Sequence, residues 1–158
     1  MPLFLETLQD AVRTRLAGLS VLDGVPLIAR NETDAAQRIE TAIQSGIGLA
    51  VLIEYPEPRT IDPDAPGPVF TAVAQRVRIL ENVYTNSAAA NALSVAEAVA
   101  ERLHLWKPRI ERWHGRLVLG DGTPWRTVTD NRHPDRIEIE QRYLAMGALG
   151  KNPDYSQQ

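Results

Sequence analysis

The apolar positions along the chain fall into segments of two different periods. Leu5, Leu8, Val12, Leu16 and Leu19 recur at three- and four-residue spacing, which is the buried stripe of one helix, with Glu6, Asp10, Arg13 and Arg15 toward water. Gly18 and then Asp23-Gly24 end it. Val25 to Ala29 reads as a short strand, whose Pro26 suits a sheet edge or a first residue. Thr33 or Asp34 is placed to cap a second helix with Ala36, Ile39, Ala42 and Ile43 inward, closed by Gly46. Gly48 to Tyr55 is nearly continuous apolar sequence, the mark of a strand buried on both faces.

From Pro56 to Pro68 five prolines fall beside Glu57, Asp62 and Asp64, and their spacing predicts a long extended loop without helix or ladder pairing. Val69 to Glu81 then alternates as a long strand, with Val73, Gln75, Val77 and Ile79 on one face and Arg76, Arg78 and Leu80 on the other. A third, alanine-rich helix follows, capped by Asn86 or Ser87, with Leu93, Ala96, Val99, Ala100 and Leu103 as its stripe. It stops near Trp106-Lys107-Pro108. Arg116 to Leu119 and Trp125 to Thr129, joined by Gly120-Asp121-Gly122, suggest a hairpin. Arg136 to Leu144 alternates Ile137, Ile139 and Tyr143 against Glu138, Glu140 and Arg142, an amphipathic strand with one wet face. The order predicts an α+β domain over residues 1–150. It has a single mixed or mainly antiparallel sheet with about three helices packed on one face, followed by a polar tail over 151–158.

Composition narrows the chemistry. The chain has no cysteine, so disulfides, thiolate nucleophiles and cysteine-based zinc sites are excluded. A net charge of −3 argues against general electrostatic binding to a phosphate backbone. No stretch approaches the roughly 20 apolar residues of a spanning helix, and the start lacks the basic region of a signal peptide. The expectation is a soluble protein, without membrane contact, that stays where it is made.

The search for a catalytic constellation comes up empty. His104, His114 and His133 have no helical metal-site spacing, and a structural role is the better reading of each. Gly120-Asp121-Gly122 has strands on both sides, where a phosphate loop needs a helix N-terminus to follow. The carboxylates Glu138 and Glu140, and Asp62 and Asp64, sit on a wet face and an exposed loop, which supply no asymmetry for acid–base work. Arginines 109, 112, 116 and 126 interleave with Trp106, Trp113 and Trp125, a pattern that stacks bases in some proteins. In an acidic chain the better reading is that these tryptophans seal the end of the third helix, with arginine stems packed over them. No cofactor is expected.

Three segments together carry a resemblance. They are Gly48-Leu-Ala-Val-Leu-Ile-Glu-Tyr55 running into the acidic proline loop that ends at Pro68, Arg76-Val-Arg-Ile-Leu-Glu-Asn82, and the alanine-rich helix ending His104-Leu-Trp-Lys-Pro108 before Gly115-Arg-Leu-Val-Leu119. In element order over about residues 3–145 the chain resembles the tail terminator, or tail-completion, proteins of tailed phages and prophages. The resemblance implies an α+β subunit that is not an enzyme and that forms a ring, commonly a hexamer. Such a ring caps the tail tube, ends its polymerisation and joins it to the head connector and neck proteins. DNA would pass through the lumen without specific binding, and the protein would belong to the virion after assembly in the bacterial host cytoplasm. Another neck, tail or baseplate subunit is the alternative within that machine, and a small enzyme using a histidine with Asp121 is the alternative outside it.

On the ring reading, the loop from Glu57 to Phe70 is one expected interface element. Arg59, Asp62 and Asp64 supply charge there, and Ile61, Val69 and Phe70 supply apolar anchors on a proline-stiffened backbone. The strand face of Glu138, Glu140 and Arg142 is the second, through charge pairs between neighbouring subunits.

Overall fold

The computed structural model describes residues 4–60, 69–110, 113, 115–120, 125–128 and 131–149. Among these, three helices and seven strands follow one another: α1 (Phe4–Ala17), β1 (Leu27–Ala29), α2 (Ala35–Gln44), β2 (Leu49–Ile53), β3 (Glu57–Thr60), β4 (Val69–Asn82), α3 (Ala92–Leu103), β5 (Val118–Leu119), β6 (Trp125–Val128) and β7 (Arg136–Leu149). All strands belong to one sheet, ordered β1-β2-β4-β7-β5, with β3 also beside β4 and β6 beside β7. The β1–β2 pair is parallel and the other pairs are antiparallel, so the α+β class with a mixed, mainly antiparallel sheet is borne out.

The centre of the sheet is the β4–β7 pair. Its residues match without a break from Val69↔Leu149 to Asn82↔Arg136, a ladder roughly 45 Å long at about 3.4 Å per residue. Each outer side of this ladder carries two strand pieces laid end to end. Along β4, β2 ends at Ile53↔Val77 and β3 begins at Glu57↔Ala74, four steps on one side against three on the other. One extra residue is accommodated there, which is a bulge. Along β7, β5 ends at Leu119↔Tyr143 and β6 begins at Trp125↔Gln141, six steps against two.

Two sequence expectations change as a result. The proline-rich segment is partly strand: Glu57–Thr60 pairs with β4, and Pro58 stands opposite Val73. An outer strand with one neighbour uses only alternate N–H groups, so a proline is tolerated between them. The segments around Val118 and Trp125 do not pair with each other as a hairpin. Both pair with β7, as two pieces of one interrupted edge strand.

The sheet faces assign the helices. Leu49, Val51, Ile53, Val77, Ile79, Ile139 and Tyr143 are fully buried on one face, with Leu8, Val12 and Leu16 of α1 and Val95, Val99 and Leu103 of α3. Ala50, Leu52 and Ile28 point the opposite way and pack with Ala35, Ile39, Ala42 and Ile43 of α2. The expectation of helices on one face therefore holds for α1 and α3, and α2 covers the other face. The parallel β1–β2 pair is the reason, because such strands need a crossover over one face of the sheet and α2 is that crossover.

The caps also differ in detail. Asp34 does occupy the N-cap of α2, in left-handed conformation and without a side-chain capping bond. α3 starts later than expected, at a reciprocal cap in which Asn91 Oδ1 accepts from Ser94 N and Ser94 Oγ accepts from Asn91 N. The late start leaves Leu93 exposed and buries Val95 instead.

The C-terminal turns of α1 and α3 are clasped together. Arg15 Nε donates to the Arg102 carbonyl at 3.2 Å, and Arg102 Nε donates to the Arg15 carbonyl at 3.3 Å. Each guanidinium thus meets the other helix where its unpaired carbonyls concentrate negative charge. Arg102→Ala should cost about 1 to 2 kcal/mol in urea denaturation, with the m value unchanged. A variant as stable as the parent would remove the clasp from the account of how α1 is held.

Candidate functional site

The sheet face that α2 covers is only half occupied by it. Beyond Leu52 and Leu80 the same face continues as charge. Arg76 and Arg78 come from β4, Glu138, Glu140 and Arg142 from β7, Glu54 from the end of β2, Glu57 from β3 and Arg126 from β6. Strand alternation brings them together, since each is separated from the next on its own strand by an inward-facing residue.

Glu54 is the most enclosed of these groups, with 9% of its side chain exposed. Its carboxylate accepts from Arg30 Nη2 at 2.7 Å and Nε at 3.0 Å, and from Arg78 Nη1 at 2.9 Å. Arg78 also donates to Glu138. In register Arg78 stands opposite Glu140 and Leu80 opposite Glu138, so the Arg78–Glu138 pair runs diagonally across the ladder. Arg76 Nη2 lies 2.7 Å from Glu57, and its Nη1 lies 3.9 Å from Glu140, which Arg126 also approaches at 3.5 Å. Burial alone would raise the Glu54 carboxyl, but the hydrogen bonds and charges of Arg30 and Arg78 outweigh it and hold the group below the usual carboxylate range. The Arg78 guanidinium is held in its charged form chiefly by its bond to Glu138, against the opposing effect of burial.

The backbone of Glu54 is fixed from the other face. Gln9 Nε2 donates to the Ile53 and Glu54 carbonyls at 3.1 and 3.3 Å, and Gln75 Nε2 donates to the Glu54 carbonyl at 2.8 Å. Both glutamines are fully buried. They satisfy the Glu54 carbonyl, which the β2–β3 bulge withdraws from the ladder, while the Ile53 carbonyl also accepts from Arg30 N at 2.9 Å. The sequence gives no periodicity signal for this role; the visible trace is a glutamine on each of two otherwise apolar stripes.

Several expected site residues are now placed. Glu138 and Glu140 are paired within the subunit, to Arg78 and to Arg76 with Arg126. Arg142 stands opposite Arg76 and forms no ion pair among the described residues. Glu57 pairs with Arg76, and Arg59 lies in β3 opposite Ala72. Val69 and Phe70 are the first residues of β4, opposite Leu149 and Ala148. Ile61, Asp62 and Asp64 lie outside the described residues, as do His114 and Asp121.

The arrangement neutralises charge. Each of Glu54, Glu57, Glu138 and Glu140 is matched to an arginine. Among the described residues no group of three or more His, Asp or Glu is placed to hold a metal ion. His104 Nδ1 accepts the Leu119 backbone N–H at 3.1 Å, which ties the end of α3 to β5. Trp113 is buried with its Nε1 donating to the Gly115 carbonyl, and Trp106 packs against the core with Arg15 5.3 Å from its ring centre. Both are used in packing, as the sequence suggested.

No protein-family model and no curated protein matches this chain. Among solved structures it is similar to a chain of the virion of a native gene transfer agent (GTA) particle. The identity is 14% and the TM-score 0.62, over 90% of this chain and 95% of that one. At such an identity the likeness is one of fold, and it extends across nearly the whole of both chains.

Glu54→Gln keeps the shape and removes the charge that Arg30 and Arg78 face. It should destabilise the subunit by about 2 to 3 kcal/mol at pH 7, toward the lower end for a buried pair because both guanidiniums keep about a quarter of their surface in water. A carboxyl held below its ordinary value stabilises fully above that value, and its contribution fades as pH falls through the lower folded value. The parent should therefore lose stability on acidification in that window, and the variant should lose less. Parallel losses in the two proteins would remove Glu54 from the acid dependence.

Proposed function

We propose that this chain is a structural subunit of a tailed-phage or phage-like particle, acting as a tail terminator. In this role it forms a ring, taken as hexameric, that caps the tail tube, ends its polymerisation and joins the tail to the head connector. The observation that carries the reading is the likeness of fold to a chain of a GTA virion, spanning 95% of that chain. The resemblance in element order to tail terminators points the same way. DNA would traverse the lumen without specific contacts, and assembly would take place in the bacterial host cytoplasm.

The chemistry of the subunit supports an assembly role over a catalytic one. The charge cluster on the sheet is built largely of matched pairs that rigidify it. Rigid subunits with fixed surfaces suit a closed ring, where a small angular error in each copy accumulates around the circle. The reading of a small enzyme has less support, since His104 is occupied in holding β5. A different neck, tail or baseplate subunit is the competing assignment within the same particle, and the test below separates it.

Mass in solution by light scattering, with negative-stain imaging of the protein mixed with purified tail tubes, tests the proposal. Rings alone or on tube tips are the expected result. A strict monomer that ignores tubes would sink it, and binding along the tube or at its distal end would assign another tail role. Deleting residues 61–66 should leave a folded protein that no longer assembles. Normal assembly by that deletion would remove the loop from the interface.

A further inference from the structure

Tyr84 has 84% of its surface exposed, the most among the large apolar side chains of the described residues, and its neighbour Val83 has 43%. An exposed tyrosine on a floppy tip would mean little, but this turn is held tightly. Asn82 is buried, and its Oδ1 accepts from Tyr84 N at 3.1 Å while its Nδ2 donates to Asp135 Oδ2 at 3.0 Å. Val83 N donates to the Asp135 carbonyl, and Thr85 N and Asn86 N both donate to the Asn82 carbonyl. The turn also rests on Gly48, where an added Cβ would lie 2.8 Å from Asn86 Cα. The aromatic ring is thus presented on a backbone that has already lost its freedom, so docking it costs little further entropy. Asp135 lies beside it, its Oδ2 accepting from Asn82 Nδ2.

A surface of opposite character lies at the far end of α3. There α1 and the segment after α3 enclose an open groove of about 740 Å³, ample for an aromatic side chain and its neighbours. Ala11, Trp106 and Ile110 contribute its apolar wall, and on its charged rim Arg15, Lys107 and Arg109 outnumber Asp10. The Tyr84 turn leads into the N-terminus of α3, through Asn86 Nδ2 donating to the Ala90 carbonyl. The groove begins just past the C-terminus, where Trp106 N donates to the Leu103 carbonyl. The 12 residues of α3 put roughly 18 Å between its two ends. The turn and the groove therefore lie apart on one copy, and two copies can engage them head to tail. Repetition of such a contact generates a ring when the rotation closes.

We infer that Tyr84 and Val83 of one copy insert into the groove between α1 and Trp106–Ile110 of the next copy, with Asp135 meeting the Lys107 and Arg109 rim. This rests on the assembly reading above and specifies the contact that would build the ring. Tyrosine in a desolvated pocket beside arginine is the composition in which binding energy concentrates.

The test uses the full chain. Tyr84→Ala and Arg109→Asp, each checked for folding by circular dichroism and thermal melting, should remain monomeric at concentrations where the parent assembles. The expected loss of subunit affinity is roughly thirtyfold or more for Tyr84→Ala. Mixed in equal amounts, the two variants should form a dimer and nothing larger, because one intact turn meets one intact groove. Since the parent has no cysteine, a Thr85→Cys, Thr14→Cys double variant, which keeps Tyr84 and the cationic rim, provides a second readout. Mild oxidation should link it into covalent multimers. Parent-like rings from Tyr84→Ala, with no linked multimers from the cysteine pair, would overturn the contact and leave the assembly reading standing. A parent chain that never forms rings would overturn that reading, and the contact with it.

Discussion

Glu54 is the point on which both halves of the structure depend. Its carboxylate faces Arg30 and Arg78 on one side of the sheet, and its carbonyl accepts from Gln9 and Gln75 on the other. The residue sits where β2 gives way to β3, so the bulge would otherwise leave buried polar backbone without a partner. α1 supplies one glutamine and the segment after β1 supplies one arginine, so the N-terminal elements are registered against the central ladder at this residue. Below it the α1–α3 core is closed; above it the α2 layer ends and the charged surface begins.

That arrangement explains how a sheet can be apolar on one face and split on the other. α2, only ten residues long, packs on Ala50, Leu52, Ile28 and Leu80 and meets Arg136 of β7 through Glu40. The remaining ladder has to be finished without a helix, and paired charges finish it. The stems of Arg76 and Arg78 shield the sheet while their head groups meet glutamates. Such a surface tolerates either water or a polar neighbour, whereas an apolar one of that size would invite nonspecific association.

Much of this was legible in the chain and some was not. The stripe Leu8, Val12, Leu16, the buried run at Leu49–Ile53 and the alternation through Val73–Ile79 were readable, because period alone fixes which residues share a face. The position of α2 was not, since it depends on β1 and β2 being parallel, and pairing direction leaves no mark in a three-residue strand. β3 was hidden by its prolines, which argue against pairing in general but permit it at an outer strand. The charges of the candidate surface were visible as residues, yet their hydrogen-bonded partners lie 14 to 60 residues away. Sequence adjacency gave Glu138, Glu140 and Arg142 the look of an open charged patch; the diagonal partners on β4 close most of it.

The long ladder has a consequence for the order of events during synthesis. Its nearest rung, Asn82↔Arg136, joins residues 54 apart, and its farthest, Val69↔Leu149, joins residues 80 apart. Contacts so distant in the chain make folding slow relative to helical proteins of similar size. At about 5 to 20 residues per second, a ribosome takes seconds to deliver β7 after β4 has emerged. Until then β4 has an open side and the outer pieces β5 and β6 have nothing to pair with. A nascent chain therefore lacks its central axis, and the surfaces on that axis are not yet fixed in relation to one another. They become fixed late and all at once, with the final strand.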